Sequence, residues 1–221
     1  MECGAGISSS YYQKLNKVYP NLEIPSQLAE TLGVFLDSFD GEILGERNLD
    51  GFRDFVKGLK GQAVDFGFGE YITYKPELFS EAAGTIEFFW RPNKNVIEKE
   101  NKFTTLIYQP GAKDLTNGLF VFANSNYLSF GIFEAKTGNW HFVKSNNIQF
   151  SPNVWYAVKI SFGPGGMYLK VDGLEFANLE FKGGIGQNSI FLGNIQGYFS
   201  ELPILSGSFD ELKFSSLQKL K

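Results

Sequence analysis

The sequence predicts an all-β protein. Its 221 residues include 25 glycines and 23 phenylalanines, and hydrophobic residues make up 43% of the chain. Short apolar runs alternate with polar residues in a period of two, and Gly, Asn and Pro separate them, as in strands joined by turns. A chain of this length and apolar content can bury one sizeable core, so we expect one main domain.

The first 33 residues differ from the rest. Tyr11, Leu15 and Val18 fall on one face of a short helix, which ends before Pro20. An arm of this length cannot form its own core. We therefore divide the chain into a partly helical N-terminal arm at 1–33 and a β-domain at 34–221.

Strands follow one another from residue 34 onward. In "GTIEFFWRP", alternation puts Ile86, Phe88 and Trp90 on one face and leaves open whether Trp90 or Phe89 points inward. The period-two pattern predicts strands at 34–39, 62–66, 71–74, 84–91, 104–108, 119–123, 127–133, 140–144, 156–162 and 167–171.

The segment "WYAVKISFGPGGMYLKVDGLEF" shows this pattern most clearly. Apolar positions alternate with polar ones on both sides of "GPGG", which predicts a hairpin. Asp172 and Gly173 are typical of a tight turn into a further strand. Tyr168 and Lys170 fall on the exposed face of this hairpin.

Six segments in order resemble a known family: "FLDSFDG", "GLKGQAVDFGFGEYITY", "GTIEFFWRP", "NVWYAVKISF" with "MYLKVDG", "SIFLGN" and "GSFDELKFSS". Together they resemble the laminin G-like branch of the concanavalin A-like lectin/glucanase superfamily, over about residues 34–217. The resemblance implies a jelly-roll sandwich of two antiparallel sheets. It implies glycan binding, protein adhesion or a spacer role, and the fold alone does not choose among these.

Catalytic chemistry has few candidate residues in this chain. With only His141 and only Cys3, it lacks the residues for a serine or cysteine triad and for a zinc site. We interpret His141 as a structural histidine. Catalytic relatives resemble one another in an E-x-D-x-E strand, which is missing here, and alternation predicts that Asp210 and Glu211 of "FDEL" point to opposite faces. We predict a non-enzymatic protein without catalytic residues.

Calcium is the one cofactor that the resemblance suggests. In relatives, a structural calcium lies where the loop after the first strand meets the closing strand, and the matching acidic residues here are Asp37 or Asp40 with Asp210. Carboxylate oxygens suit Ca²⁺. The alternative, which we favour, is that Asp40 belongs to a turn and Asp210 accepts internal hydrogen bonds.

Glycan binding requires exposed aromatic rings and nearby amides. We assign most of the phenylalanines to the core and look for candidates in polar loops, where packing or turn formation is the alternative role for each residue. The candidates are Tyr127, Trp140 and Tyr198, with Asn124, Asn126, Asn139 and Gln196 near them in sequence.

The charge and hydropathy of the chain bear on two kinds of interaction, with nucleic acid and with the membrane interior. The net charge is −4, and Lys and Arg are scattered, so we expect no nucleic-acid partner. No apolar stretch approaches the roughly 18 residues of a membrane helix, so we expect no transmembrane segment.

These observations favour a recognition or adhesion module that binds a glycan or a surface protein, outside the cell or at its surface. Cys3 in "CGAGISSS" suggests a lipoprotein attachment as one alternative. A different function is also open: a structural protein of a virion surface, such as a decoration or tail component. In that case residues 1–33 would dock on a neighbouring subunit or build an oligomer or larger assembly.

Overall fold

The computed structural model describes residues 34–37, 39, 46–47, 55–66, 70–75, 82–93, 103–111, 117–186, 188–193 and 207–216. The predicted arm at 1–33 lies outside these residues, so its helix and its docking role stay predictions. The described residues contain fifteen strands. They are β1 (Val34–Asp37), β2 (Glu46–Arg47), β3 (Phe55–Lys57), β4 (Gln62–Phe66), β5 (Tyr71–Tyr74), β6 (Gly84–Arg91), β7 (Thr104–Gln109), β8 (Gly118–Ala123), β9 (Leu128–Glu134), β10 (Asn139–Lys144), β11 (Tyr156–Gly163), β12 (Gly166–Val171), β13 (Leu174–Asn178), β14 (Ile190–Gly193) and β15 (Gly207–Ser215).

The strands form two antiparallel sheets, as the resemblance implies. The first sheet has the order β13-β12-β11-β6-β15-β4-β3, and β1 also pairs with β15. The second sheet has the order β10-β9-β8-β7-β14-β5-β2. The closing strand β15 holds the first sheet together, because it pairs with β6 on one side and with both β4 and β1 on the other.

One hydrophobic core fills the space between the sheets. Trp90 is fully buried and packs edge-on against Phe150, with ring centroids 5.2 Å apart. Ile86 and Phe88 are buried on the same face of β6, whereas Phe89 is only partly buried on the other. Trp90 is therefore the inward residue, and each such side chain contributes about 1.5–3 kcal/mol by leaving water.

The two predicted turns of the β11–β13 segment are confirmed. Gly163 pairs with Gly166, so Pro164 and Gly165 form the loop between β11 and β12. Asp172 and Gly173 join β12 to β13 with φ of 46° and 88°. Two positive φ values are the requirement of a type I′ hairpin turn, which matches the twist of the strands that it joins.

Most predicted strands are found within one or two residues of their predicted bounds. The largest difference lies in the first strand, which we predict at 34–39. There, β1 ends at Asp37, and Phe39 lies beyond it with φ of 56° and a fully buried side chain. A non-glycine residue with positive φ interrupts the ladder, and the sequence pattern does not reveal it.

The prediction that Asp210 and Glu211 point to opposite faces is wrong. The pairing of β15 with β6 shifts between Asp210 and Lys213, and Glu211 has φ of 51°. This β-bulge inserts one extra residue, so simple alternation fails there. Both carboxylates consequently meet the turn between β3 and β4: Asp210 Oδ2 accepts a hydrogen bond from the Leu59 amide, and Glu211 Oε2 lies 3.8 Å from Lys60 Nζ.

Candidate functional site

The structure places two predicted site residues on one surface. Tyr127 lies in the turn before β9, and Trp140 lies on β10, the edge strand of the second sheet. Trp140 is 40% exposed on the outer face of that sheet, away from the core. Tyr198 and Gln196 lie outside the described residues, so their role stays a prediction.

Strand alternation builds the outer face of the second sheet. On β10, Val143 is buried, whereas Trp140, Phe142 and Lys144 point outward. On β8, Leu119 and Val121 enter the core with relative exposures of 1% and 0%. The alternating positions of β7, β8, β9 and β14 point outward and bring further aromatic side chains to this face. They are Tyr108, Phe120, Phe122, Phe133 and Phe191.

Ring contacts connect these side chains into one continuous aromatic surface. From the β5 end, Tyr71 contacts Phe191 at 5.5 Å between centroids, and Phe191 contacts Tyr108 at 6.3 Å. Tyr108 contacts Phe120, which in turn contacts Phe122 and Trp140. We define the aromatic surface as Tyr71, Phe103, Tyr108, Phe120, Phe122, Tyr127, Phe133, Trp140, Phe142 and Phe191.

The aromatic surface crosses the sheet perpendicular to its strands. It runs from β10 to β5 over six adjacent strands, which at about 4.8 Å per strand spacing makes it about 24 Å long. Phe103, Trp140 and Phe142 are the most exposed of its rings, at 41%, 40% and 38%. Water therefore reaches the β10 side of the surface, which is where a ligand has access to the ring faces.

Gly131 positions the ring of Phe142. Gly131 pairs with Phe142 across β9 and β10, and a Cβ atom at residue 131 would lie 2.5 Å from Phe142 Cε1. The missing side chain leaves room for the Phe142 ring against β9. The Trp140 ring is nearly parallel to the Phe142 ring, with an interplanar angle of 12° and a centroid distance of 5.5 Å. These two rings are also among the most exposed of the aromatic surface.

A short turn fixes Tyr127 at the edge of the surface. The side-chain oxygen of Asn124 accepts hydrogen bonds from the backbone amides of Asn126 and Tyr127, both at 2.9 Å. Asn124 is buried and has a structural role, as its type predicts in turns. The side chain of Asn126, a predicted site residue, is exposed beside Tyr127.

Lys144 adds one positive charge to the aromatic surface. Its Nζ lies 5.1 Å from the centroid of the Tyr127 ring, a cation–π geometry. Because the ammonium group covers one face of that ring, Tyr127 holds the lysine on this side and does not offer this face for stacking. Trp140 and Phe142 are better placed to stack on a ligand.

Asn139 and His141 lie on the other side of β10. They alternate with Trp140, so Asn139 points away from the aromatic surface although it is exposed. His141 stacks on Phe181 at 4.5 Å, and its Nε2 lies 3.2 Å from Glu134 Oε2. Hydrogen bonds from Thr137 and His141 lower the pKa of Glu134. These packing and hydrogen-bond contacts are the ones that a structural histidine makes.

The outer face of the first sheet is polar. Ser208 donates a hydrogen bond to Asp65 and accepts one from the Arg91 guanidinium at 2.9 Å. The same guanidinium lies over the ring of Trp155, 4.8 Å from its centroid. Elsewhere on this face, charged residues follow one another across four neighbouring strands. They are Lys213, Glu87, Lys159 and Lys170.

Asp210 has the contacts of an internal hydrogen-bond acceptor. It is fully buried, and its Oδ2 accepts hydrogen bonds from the amides of Leu59 and Lys60 at 2.7 and 3.0 Å. An oxygen that faces two N–H groups is poorly oriented for a cation. In the described part of the chain, no three His, Cys, Asp or Glu side chains cluster as metal ligands. Asp40 and the side chain of Asp37 are not described, so the calcium site stays a prediction.

Sequence reasoning missed most of the aromatic surface, because we assigned most phenylalanines to the core. The structure instead places several of them on the outer face of the second sheet. One signal was available: β8, "GLFVFA", is apolar at successive positions and so offers apolar side chains to both faces of its sheet. The phenylalanines in question are Phe103, Phe120, Phe122, Phe133, Phe142 and Phe191.

Comparisons with known proteins agree with the fold. No family model matches the sequence, and no curated protein matches it. Among solved structures, the chain is similar to domain 4 of a GH43 extracellular arabinanase from Geobacillus stearothermophilus in complex with arabinotriose. The TM-score is 0.58 and the identity 16%, over 84% of this chain and 82% of that one.

Two further similar structures are longer than this chain. The binding domain of botulinum neurotoxin serotype G matches with a TM-score of 0.60 and 12% identity, over 85% of this chain and 48% of that one. The mouse laminin alpha1 domains LG4-5 match with a TM-score of 0.53 and 14% identity, over 78% and 47%. The chain thus has the laminin G-like, concanavalin A-like sandwich that its sequence resembles, and at these identities the likeness establishes the fold alone. The described residues include no helix that is long and apolar enough to span a membrane.

Proposed function

We propose that this protein is a non-enzymatic recognition module that binds a glycan through the aromatic surface. The observation that carries the proposal is the unbroken series of ring contacts from Tyr71 to Phe142, whose last two rings, Trp140 and Phe142, are exposed to water. Aromatic rings stack on the C–H faces of sugars, and contiguous apolar surfaces of this kind are typical of binding sites.

The shape of the surface favours an extended ligand. The rings follow a line across the strands, and no deep pocket is needed to reach Trp140 or Phe142 because both are exposed. The similar arabinanase domain was solved in complex with arabinotriose, a short linear sugar, which supports the choice of a glycan. A location outside the cell or at its surface follows from such a role.

A glycan and polysaccharide array with the intact protein tests this proposal. We expect specific binding that weakens about two- to tenfold in Phe142→Ala, from the roughly 0.5–1.5 kcal/mol of one aromatic contact. The matched control is Phe89→Ala, a partly buried phenylalanine on the outer face of the first sheet, which is expected to bind as the native protein does. Running the array with and without Ca²⁺ also tests the predicted calcium site.

The second candidate function is assembly. Trp140, Phe142 and Phe103 would equally suit contact with another protein, because exposed large apolar side chains are typical of such interfaces. Silence across the array from a folded protein would favour this role. Deleting residues 1–33 would then change the oligomeric state in size-exclusion chromatography, as a docking arm requires, whereas a recognition module would remain unchanged.

A further inference from the structure

We propose that the β10 end of the aromatic surface is a subsite for a sugar carrying an anionic group, a carboxylate or a sulfate, which Lys144 binds. This inference rests on the proposed glycan-binding function and specifies its ligand class. Tyr127 is the positioning residue that holds the lysine.

Lys144 lies next to the rings of the aromatic surface. It is the outward residue at the end of β10, and it pairs with Ser129 of β9, which in turn pairs with Phe122 of β8. Lys144 therefore lies in the same cross-strand row as Phe122, and Phe142 is two residues earlier on the same face. A sugar chain that stacks on Phe142 and continues toward this end meets the ammonium group.

An aromatic ring holds Lys144 in place. Lys144 is exposed, and its Nζ lies 5.1 Å from the centre of the Tyr127 ring. Among the described residues, no carboxylate forms an ion pair with it. By contrast, Lys60 and Lys159 lie 3.8 and 3.9 Å from Glu211 and Glu87. A ring attracts an ammonium group without using up its N–H donors, so Lys144 is held in place and keeps hydrogen bonds for a ligand.

The described strand positions around Lys144 carry no negative charge on the outer face of the second sheet. At the outward strand positions whose side chains are described, the second sheet carries aromatic residues, Thr, Ser and Gly but no Asp or Glu. The acidic residue nearest in sequence on β9, Glu134, points to the other side and contacts His141. An anionic group at this end would meet one positive charge and no described negative one, although the whole chain carries a net charge of −4.

Matched pairs of oligosaccharides test the inference by titration calorimetry. The probes are oligomers of galacturonate, mannuronate and glucuronate, each with its carboxyl-reduced neutral counterpart, and a sulfated glycan with its desulfated form. We expect the native protein to bind an acidic member roughly two- to fivefold more tightly than its neutral partner, the range of an exposed ion pair. The preference should shrink at high salt, because exposed charges are screened.

Substitutions of Lys144 and Tyr127 test whether these two residues cause the preference for acidic oligosaccharides. In Lys144→Met, the acidic and neutral members should bind equally. Tyr127→Leu should reduce the preference, and Tyr127→Phe should restore it because a phenyl ring also attracts the ammonium group. The control Lys170→Met removes a lysine from the outer face of the first sheet and should keep the preference.

The outcomes separate this inference from the proposed function. A preference that survives Lys144→Met overturns the inference, as does equal binding of both members by the native protein, and in both cases glycan binding stands. If no member of any pair binds to folded protein, the inference falls together with the proposed function.

Discussion

The two outer faces of the sandwich follow the same strand alternation but carry different chemistry. On the first sheet, most outward side chains are charged or hydroxylated, and some hydrogen-bond to one another, as Arg91, Ser208 and Asp65 do. On the second sheet, most outward side chains are rings, and the most exposed of them, such as Phe142, have one side in water.

The difference bears on ligand binding. A ligand on the first face would have to replace existing hydrogen bonds, whereas a ligand on the second face would cover exposed aromatic area. Polar side chains of the first sheet, such as Arg91, Ser208 and Asp65, already hydrogen-bond to one another, so a ligand that covered them would displace good hydrogen bonds. Exposed aromatic area contributes nothing to folding until it leaves water, and a ligand that covers it gains that free energy. The second sheet is accordingly the binding face in our account, and the first is the scaffold.

The largest expected effect is a loss of stability when a hydrogen-bond acceptor of the first sheet is removed. Asp210→Ala removes the acceptor of the Leu59 and Lys60 amides, and we expect a loss of about 1–3 kcal/mol in the free energy of unfolding. Denaturant unfolding measures it. Asp210→Asn keeps an oxygen acceptor and should lose less. Glycan binding by the folded fraction should not change, and a loss of binding would contradict the separation of the two faces.

Two tryptophans sharpen the comparison, because each face has one. Trp140→Ala should weaken glycan binding by about 0.5–1.5 kcal/mol, since it removes one stacking ring from the aromatic surface. Trp155→Ala removes the ring under Arg91 on the first sheet and should leave the affinity unchanged. Titration calorimetry gives both values, and equal effects of the two substitutions would argue against a binding face on the second sheet.

A smaller change tests the shape of the aromatic surface without removing any ring. Gly131→Ala puts a methyl group where the Phe142 ring now lies, so the ring must shift. Because Phe142 is partly exposed and can move, we expect a stability change below about 1 kcal/mol. Binding should nevertheless weaken as much as in Phe142→Ala. Unchanged binding would show that glycan binding does not depend on the present position of the Phe142 ring.

The smallest expected effect is the pH dependence of the free energy of unfolding that Glu134 contributes. Hydrogen bonds from Thr137 and His141 lower the pKa of Glu134, so its carboxylate is held deprotonated in the folded state. The resulting stability is fully present above the unfolded-state pKa of Glu134 and is lost as the pH falls through the lower folded-state pKa.

Thermal unfolding between neutral and acidic pH measures this effect. Glu134→Gln should flatten the pH dependence slightly. An identical pH profile for the native protein and Glu134→Gln would show that Glu134 does not contribute to the pH dependence of stability.

The sequence predicted the architecture well because alternation and turn chemistry are local. The strands around Trp90 and the type I′ turn at Asp172 and Gly173 follow from residue types alone. The bulge at Glu211 does not, because a positive φ at a glutamate depends on the partner strand and on the turn that holds Asp210 and Glu211.

The candidate site was predicted only in part. Tyr127 and Trp140 stood out because polar residues surround them in sequence, and the structure places both in the aromatic surface. Phe120 and Phe122 did not, since a phenylalanine in a strand has the same sequence signature whether it faces the core or the ligand side. Only the register of β8 against β7 and β9 separates the two faces.

One measurement tests the central claim most directly: the indole N–H signals of the three tryptophans during a glycan titration, recorded by ¹H–¹⁵N NMR. Trp90 lies in the core, Trp155 beside the polar face and Trp140 on the aromatic surface. With the oligosaccharide that binds best in the array, our account predicts that the Trp140 signal shifts in a saturable way while the other two stay in place. A saturable shift of Trp155 with Trp140 unmoved would contradict it.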